Sequence, residues 1–405
     1  MEIKMKYIIV LGDGMSDEPL EVLDNRTPLM VAKTPCLDEL ASKSELGLAY
    51  TIPEGMKPGS DTANLSVLGY DPKVYYSGRS PLEALSIGVD MKKEDIALRC
   101  NLVTLSEEQV DYEKRTIIDH SSGEISTEEA SQLIDAIKEV FDNDIYTFYH
   151  GTSYRHLTIW DKGDVIDLSQ PHDILGKVIE EYLPGDPALY DMMKKSYDIL
   201  NNHPINKKRE EMGLNKANSL WFWGAGTRPN LTSFEEKNHI KGAMISAVDL
   251  LKGIAIGAGM KVIEVPGANG TLHTNYEGKA KAAIKVLLEE KYDFVYVHVE
   301  APDEMGHQGN VDNKIKSIEY LDQRVIKVIV DEMEKQEVDY RLLIMPDHPT
   351  PIKLRTHTSD PVPYLIYDST EFIKNNCKYN ENDVKASGNT VLNGYTIIDK
   401  LLNRR

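Results

Sequence analysis

The segment YIIVLGDG, residues 7–14, predicts a short buried strand that runs directly into a glycine-rich turn. Its apolar run is too short for a helix and is typical of a strand covered on both faces of a parallel sheet. Three similar runs follow at residues 294–299 (FVYVHV), 342–345 (LLIM) and 364–367 (YLIY). We predict that all four are buried parallel strands.

Amphipathic helices separate these strands. Thr34 and Pro35 predict a helix start, with Thr34 as the N-cap and Pro35 in the first turn. A second helix is predicted to begin at Asp312, where apolar residues recur at helical spacing. Its apolar face consists of Ile315, Ile318, Leu321, Val325 and Val328. Strands that alternate with helices at both ends of the chain predict one doubly wound, mostly parallel α/β domain.

The middle of the chain, residues 92–216, is richer in β-branched and polar residues. Ser126 and Glu129 form a capping-box pattern that predicts a helix there, whereas the weakly apolar stretch 201–216 predicts an exposed linker. We predict that this middle part is a smaller α+β domain, inserted into the α/β domain formed by residues 1–91 and 217–405. Three domains in linear order are the competing interpretation.

Composition argues against several classes of partner. The 405 residues carry 46 basic and 65 acidic side chains, a net charge of −19, and so acidic a surface repels nucleic acid and anionic lipid. Cys36, Cys100 and Cys377 are too few and too scattered for a disulfide framework or a cysteine metal site. No signal peptide or membrane span is predicted. We expect a cytoplasmic protein that binds neither nucleic acid nor membranes; the sequence does not predict its oligomeric state.

Polar clusters follow the predicted strands or the helices after them. They are Asp13, Asp303 with His307, Asp347 with His348, and His357. Each residue alone is adequately explained as a helix cap or a structural histidine. Because the carboxyl ends of parallel strands meet at one edge of a sheet, we predict that these side chains meet there. Three carboxylates and three imidazoles suit two divalent ions such as Mn²⁺ or Zn²⁺, an arrangement that promotes in-line phosphoryl transfer.

The segment PGSDTANLSVL, residues 58–68, supplies a candidate nucleophile. Pro58 and Gly59 predict a turn, and the apolar spacing from Leu65 predicts a helix, so Ser60 lies at or just before a helix N-terminus. Unpaired N–H groups and the helix dipole favour phosphate at such a position, and a divalent ion lowers the pKa of a hydroxyl that it binds. The competing interpretation is that Ser60 simply caps the helix.

These motifs resemble the alkaline phosphatase superfamily and, within it, the shorter, archaeal-type branch of the cofactor-independent phosphoglycerate mutases. The resemblance spans nearly the whole chain. It includes the segments 76–84 (YSGRSPLEA), 153–157 (SYRHL) and 274–279 (TNYEGK). It implies an alkaline-phosphatase-like fold and an isomerase of glycolysis and gluconeogenesis that interconverts 2-phosphoglycerate and 3-phosphoglycerate.

The resemblance also assigns roles to individual residues. Ser60 matches the nucleophile that carries the phosphoryl group, and the inserted domain matches the mobile, transferase-like domain that holds the glycerate. Two divalent ions are implied, with Mn²⁺ as the first choice and Zn²⁺, Mg²⁺ or Co²⁺ as alternatives. The ligands of one ion match Asp303, His307 and His357. Those of the other match Asp13, Ser60, Asp347 and His348.

A phosphoglycerate brings a phosphate and a carboxylate to a site where the ligands already balance the metal charge, so further cations are required. Arginine binds either anion bidentately. The candidates are Arg79, Arg155, Arg228 and Lys279. Each is also consistent with an ordinary surface or ion-pair role. His156 is a candidate for moving the proton of the substrate hydroxyl.

Two other activities stay open. One is a phosphotransferase of different specificity, such as the homoserine kinase activity proposed for relatives of this branch. The chain has no P-loop motif, which weakens that alternative. The other is a phosphatase, in which water accepts the phosphoryl group. An inserted domain that closes over the site and excludes water favours transfer over hydrolysis.

Overall fold

The computed structural model describes residues 5–403, which fall into two compact units. The first unit combines the chain up to Tyr76 with the chain from Asn230 onward, and the second unit spans Ser77–Pro229. The strands, in chain order, are β1 (Lys6–Gly12), β2 (Glu45–Ala49), β3 (Ile96–Leu105), β4 (Ile117–Asp119), β5 (Tyr146–Tyr149), β6 (Arg155–Trp160), β7 (Ser219–Thr227), β8 (Gly242–Ile245), β9 (Lys261–Val262), β10 (Phe294–Val299), β11 (Tyr340–Met345), β12 (Val362–Asp368) and β13 (Thr390–Val391). The α-helices are α1 (Pro28–Val31), α2 (Pro35–Ala41), α3 (Ser60–Val67), α4 (Pro72–Tyr75), α5 (Arg79–Ser86), α6 (Thr127–Phe141), α7 (Pro187–Asn201), α8 (Pro204–Glu211), α9 (Phe234–Asn238), α10 (Asp249–Gly257), α11 (Tyr276–Leu288), α12 (Ala301–His307), α13 (Val311–Leu321), α14 (Lys327–Lys335), α15 (Glu381–Ala386) and α16 (Ile397–Leu401).

The first unit is built on an eight-stranded sheet with the order β13-β2-β12-β11-β1-β10-β8-β9. β1 pairs in parallel with β10 and β11, so that Leu11 is level with His298 on one side and Met345 on the other. Ile8 and Val10 pack with α11 and α13 in one buried cluster, and the alternate residues of β1 are buried on the opposite face. A continuous apolar run suits a strand covered on both faces. The predicted, mostly parallel α/β fold is confirmed.

β12 is an exception to the predicted strand directions. It runs antiparallel to both of its neighbours, β11 and β2. Parallel neighbours in a sheet are usually joined by a crossover helix, whereas residues 346–361, between β11 and β12, contain no α-helix. An apolar run indicates that a strand is buried but says nothing of its direction. The prediction of a fourth parallel strand was therefore wrong.

The two helices predicted in the first unit begin within one residue of the predicted positions, but neither is capped by the predicted side chain. α2 begins where predicted, but the Thr34 side chain makes no capping hydrogen bond. Asp322, which begins a π-helical turn between α13 and α14, instead accepts from the N–H of Leu37 at 2.7 Å. The helix predicted at Asp312 is α13, which Asn310 caps. A cap can therefore come from a residue hundreds of positions away.

The second unit contains a five-stranded sheet with the order β4-β3-β6-β5, in which β7 also pairs with β3. All of these pairings are antiparallel. α6 and α7 contribute Leu133 and Leu189 to a buried cluster that also includes Trp221. Ser126 caps α6 as predicted, accepting from the N–H of Glu129 at 3.2 Å.

The second unit extends beyond the predicted insert at both ends. Ser80 of α5 donates to the carbonyl of Gly224 in β7 at 2.5 Å, and β7 pairs with β3. None of its described strands enters the eight-stranded sheet. The stretch 201–216 is not an exposed linker, because it contains α8, in which Asn206 and Arg209 are buried. No helix within residues 5–403 combines the length and apolarity that crossing a membrane requires.

Candidate active site

Side chains that can bind a metal follow three neighbouring strands of the large sheet. Asp13 follows β1 directly, whereas Asp303 and His307 lie one turn apart on α12, which follows β10. Asp347 and His348 follow β11, on the other side of β1. Because these three strands are parallel, their carboxyl ends meet at one edge of the sheet.

One group of ligand atoms belongs to Asp303, His307 and His357. His307 Nε2 lies 3.2 Å from Asp303 Oδ2 and 3.0 Å from His357 Nε2. His357 Nε2 lies 3.4 Å from Asp303 Oδ1. Thr350 donates to Asp303 Oδ1 at 2.5 Å, and His307 Nδ1 lies 2.9 Å from the Arg355 carbonyl oxygen. Both of these α12 side chains are therefore held in place by the segment that carries His357.

A second group consists of Asp13, Asp347 and His348, each of which offers one ligand atom within 4.8 Å of the others. His348 Nε2 lies 3.7 Å from Asp13 Oδ1 and 3.4 Å from Asp347 Oδ2. Ser60 Oγ lies 3.1 Å from the same nitrogen. The His348 ring stacks on His357 with 3.9 Å between centroids, so the two groups form one continuous metal-ligand cluster. All seven predicted metal-site residues thus lie together.

Ser60 is the first residue of α3, while Gly59, with extended backbone, occupies the N-cap position. Ser60 is therefore not the residue that caps the helix, and its hydroxyl contacts His348 instead. The first N–H groups of a helix have no partner within the helix, and together with the dipole they favour an anion at this end. The hydroxyl thus lies between the N-terminal end of α3 and the metal-ligand cluster.

Asn64 connects Ser60 to the cluster, a role that the sequence analysis missed. Its Nδ2 donates to the Ser60 carbonyl at 2.8 Å and to Asp347 Oδ2 at 2.9 Å, and its Oδ1 accepts from Tyr296 at 2.5 Å. Asn64 is fully buried. The available signal was an amide one helical turn after the candidate nucleophile, on a helix otherwise rich in small and apolar residues.

Gly14 allows the turn after β1 to pass close to the cluster. Its φ is +59°, and a Cβ there would lie 2.5 Å from Thr350 Oγ1 and 2.6 Å from Asp303 Oδ1. Its N–H donates to Asp347 Oδ1 at 3.3 Å. Any side chain would therefore adopt a disfavoured backbone conformation and also displace two site residues.

The electrostatics of the cluster are dominated by closely spaced buried carboxylates. Burial raises the pKa of Asp13 well above its usual range, and Asp347 and Asp303 raise it further. Burial also raises the pKa of Asp303, but hydrogen bonds with His307 and His357 outweigh it and leave that pKa well below its usual range. The hydrogen bond with Asp303 raises the pKa of His307 to about 9.

The residues of the cluster fit a divalent metal ion. Asp13 Oδ1 is buried and has no hydrogen-bond partner within the described chain, which is unusual for a buried polar atom. A cation would give that oxygen a partner and would offset the repulsion among the three carboxylates. Carboxylate oxygen and imidazole nitrogen are suitable ligands for Mn²⁺, Zn²⁺ and similar ions.

The arginines predicted to bind substrate all lie in the second unit. Arg79 Nε lies 2.9 Å from Glu83 Oε1. Arg155 and Arg228 are exposed, and the Arg155 guanidinium lies 5.1 Å from the Tyr154 ring centroid. Their roles in substrate binding stay a prediction.

Arg99 is a further candidate of this kind. The sequence did not indicate it, because it lies within the apolar strand β3. Its guanidinium lies 4.3 Å from the Trp223 ring centroid, and its Nε lies 3.0 Å from Glu83 Oε2. Burial lowers the pKa of Arg99 to about 10, and the charges of Arg79 and Arg155 lower it further, against the opposite effect of Glu83. Arg99 therefore feels the positive charges of both Arg79 and Arg155.

His156 is buried in β6, where its Nδ1 accepts from the Gly151 N–H at 3.1 Å. Burial, with a contribution from His150, lowers the pKa of His156 to about 3. Its ring is therefore neutral near pH 7, and the proposed role in moving a substrate proton stays a prediction.

Lys279 requires a correction. It was predicted to bind substrate, but it is fully buried on α11 and its ammonium group already donates to Glu300 Oε2 at 2.5 Å and to the His298 carbonyl at 2.7 Å. A substrate anion cannot reach a lysine enclosed in this way. Sequence shows that a lysine is present but not that it is buried.

The fold and the site define an α/β enzyme that holds a serine hydroxyl against a cluster of metal ligands. A family model described as 2,3-bisphosphoglycerate-independent phosphoglycerate mutase matches residues 41–206. The probable 2,3-bisphosphoglycerate-independent phosphoglycerate mutase of Geobacter sulfurreducens is 48% identical over 99% of this chain and 100% of its own length. The chain belongs to this family, as the resemblance predicted.

Other relatives agree with this assignment. The 2,3-bisphosphoglycerate-independent phosphoglycerate mutase of Methanosarcina barkeri is 50% identical over 90% of each chain. A solved structure of a protein from Pyrococcus horikoshii is 32% identical with a TM-score of 0.82, covering 100% of this chain and 98% of its own. The cofactor-independent phosphoglycerate mutase of Thermoplasma acidophilum is 29% identical with a TM-score of 0.66, covering 98% of this chain and 99% of its own.

Proposed function

We propose that this chain is a metal-dependent phosphoglycerate mutase that interconverts 2- and 3-phosphoglycerate through a phosphoserine at Ser60. The observation that carries the proposal is the position of the Ser60 hydroxyl, at the N-terminus of α3 and 3.1 Å from His348 Nε2 within the metal-ligand cluster. A phosphoryl group on this oxygen would meet both the helix end and the cluster.

Two divalent ions, with Mn²⁺ as the first choice, would be held by the metal-ligand cluster. Asp303, His307 and His357 would hold one ion. Asp13, Ser60, Asp347 and His348 would hold the other. When bound, such ions offset the charge of a transferring phosphoryl group and favour the ionised form of a neighbouring hydroxyl.

Ser60 is proposed as a covalent carrier because the two hydroxyls of glycerate are on neighbouring carbons. Direct in-line transfer between them is geometrically unfavourable, since both oxygens cannot be collinear with the phosphorus. With Ser60 as the acceptor, the reaction becomes two in-line steps, between which the glycerate reorients. Asn64 bonds both the Ser60 carbonyl and Asp347 and so fixes the backbone of Ser60 relative to that carboxylate.

The second unit is proposed to bind the substrate through its arginines. Arg79, Arg155 and Arg228 were the sequence candidates, and Arg99 adds a fourth guanidinium, whose pKa is lowered by the charges of Arg79 and Arg155. Glu83 contacts both Arg79 and Arg99 and holds their guanidinium groups in place. Bidentate pairing would allow such guanidinium groups to bind the carboxylate or phosphate of a phosphoglycerate.

The direct test is an assay of the purified protein with Mn²⁺ and 3-phosphoglycerate, compared with homoserine plus ATP and with release of inorganic phosphate. We expect mutase activity, retention of configuration at phosphorus, and an acid-stable phosphoenzyme labelled at Ser60. Ser42→Ala is a matched control, because the Ser42 hydroxyl bonds the Glu39 carbonyl, outside the cluster. Dominant kinase or phosphatase activity, or inversion at phosphorus, would contradict the proposal.

A further inference from the structure

Behind Asp13 lies a line of three buried polar side chains that the proposed chemistry does not use. Lys279 Nζ donates to Glu300 Oε2 at 2.5 Å and to the His298 carbonyl at 2.7 Å. Glu300 Oε1 lies 3.1 Å from His298 Nδ1, and His298 Nε2 lies 3.0 Å from Asp13 Oδ2. Lys279, Glu300 and His298 are together called the buried triad.

The burial of these charges requires an explanation beyond packing. The side chains of Lys279 and Glu300 are 0% and 4% exposed. Removing a lysine and a glutamate from water costs free energy that their attraction often fails to repay, and apolar residues of similar size often stabilise a core as well or better. The buried ion pair therefore indicates a role in positioning a neighbouring side chain.

The geometry shows what the buried triad holds. His298 lies between the two carboxylates, with Nε2 3.0 Å from Asp13 Oδ2 and Nδ1 3.1 Å from Glu300 Oε1, so its ring fixes the position of Oδ2 relative to Glu300. Glu300 is fixed in turn by Lys279 and by the N–H of Ala247, which donates to its Oε1 at 2.8 Å. With Oδ2 of Asp13 engaged, the buried oxygen left without a hydrogen-bond partner is Oδ1, which faces His348 in the metal-ligand cluster.

We propose that the buried triad is a positioning device for Asp13, which holds Oδ2 so that Oδ1 is the oxygen offered to a divalent ion. The inference rests on the proposed function only in requiring that the cluster binds such ions. It follows that affinity for the ion beside Asp13 depends on Lys279, although Lys279 touches neither ion nor substrate. Affinity for the ion beside Asp303 does not depend on it.

The test uses Mn²⁺ as the probe, titrated into the metal-free full-length protein and followed by electron paramagnetic resonance. Asp13→Asn identifies the binding step that belongs to the Asp13 site. Lys279→Met is expected to weaken that step about 10- to 100-fold, as loss of partners behind a ligand typically does, with a change of less than about threefold at the other site. Lys281→Met, which removes an exposed lysine from the same helix, is the matched control and should leave both steps unchanged.

Lys279→Met leaves Glu300 without its cation, so the double variant Lys279→Met/Glu300→Gln provides a form in which neither charge of the pair remains. It should melt near the wild-type temperature when metal-free and should still bind Mn²⁺ weakly at the Asp13 site. Wild-type affinity at that site in either folded variant would overturn the inference. Equal weakening of both sites together with a lower melting temperature would do the same, since it indicates a structural role. A wild-type protein that binds Mn²⁺ normally but lacks mutase activity contradicts the proposed function alone.

Discussion

The metal-ligand cluster of the first unit and the exposed arginines of the second unit hold their functional charges in opposite ways. In the first unit, Asp347 and His348 are fully buried, and each is hydrogen-bonded to a neighbouring side chain. In the second unit, Arg155 and Arg228 are exposed to solvent. A buried, hydrogen-bonded cluster commits its residues to one geometry, whereas exposed cations can each bind a ligand independently. Substitutions of residues within the cluster should therefore have larger effects than substitutions of the exposed arginines.

The largest effect is expected from Ser60→Ala, which removes the proposed phosphoryl acceptor. Turnover should fall by a factor on the order of 10⁴–10⁶, as for the loss of other covalent nucleophiles. The fold should be unchanged, because the hydroxyl contributes little to packing. Steady-state kinetics and circular dichroism, with Ser42→Ala as the control, measure both. Turnover near the wild-type level would mean that another group accepts the phosphoryl group.

The next effect concerns metal removal. Chelation should abolish activity, and Mn²⁺ at about 100 times its dissociation constant should stabilise the folded protein by about 2.7 kcal/mol per site. Hydrogen exchange should slow in α12 and in residues 346–361 of the first unit and stay unchanged in α6 of the second. Equal slowing of hydrogen exchange in both units would contradict the expected difference between them.

A graded effect is expected from Arg155→Met. Losing one charge-assisted contact typically costs about 1.5–3 kcal/mol, so KM for 3-phosphoglycerate should rise roughly 10- to 100-fold while Mn²⁺ affinity stays unchanged. Lys195→Met, which removes an exposed lysine paired with Asp191 in the same unit, should leave KM unchanged. A loss of kcat as large as that of Ser60→Ala would place Arg155 in the chemistry rather than in recognition.

The smallest effect is a difference in pH dependence. Burial lowers the pKa of His156 from 6.5 to about 3. The contribution of neutral His156 to the free energy of unfolding is therefore fully present above pH 6.5 and is lost as the pH falls. Burial raises the pKa of Asp322 from 3.8 to about 6. The contribution of protonated Asp322 to the free energy of unfolding is therefore present below pH 3.8 and is lost as the pH rises through 6. Tryptophan fluorescence during urea unfolding reports the second unit, because all three tryptophans, Trp160, Trp221 and Trp223, lie there.

Variants isolate these two contributions. Between pH 5 and 7, His156→Gln should reduce the gain in stability of the second unit with rising pH, and Asp322→Asn should reduce the loss in the first, measured by hydrogen exchange of β1. A wild-type slope in either variant would show that other groups control that unit.

The sequence predicted those features that depend on local pattern and on the geometry of parallel sheets. The run before Asp13 was enough to identify β1, and the convergence of strand ends brought Asp13 and Asp347 together. Local patterns did not predict the direction of a strand, the burial of a polar side chain or the contacts between distant residues. No local pattern shows which polar side chains a fold encloses. His298, inside an apolar strand, was therefore not predicted to have a role, and Lys279 was predicted to contact substrate.

The strand order of the first unit has a consequence for the synthesis of the chain. β1 emerges early, but the partners on either side of it, β10 and β11, begin at Phe294 and Tyr340. At about 5–20 residues per second, the nascent chain carries β1 unpaired for tens of seconds, during which the whole of Ser77–Pro229 is made. During this time the apolar strand can associate with other nascent chains. The protein should therefore be most prone to aggregation when translation is slow and nascent chains are crowded.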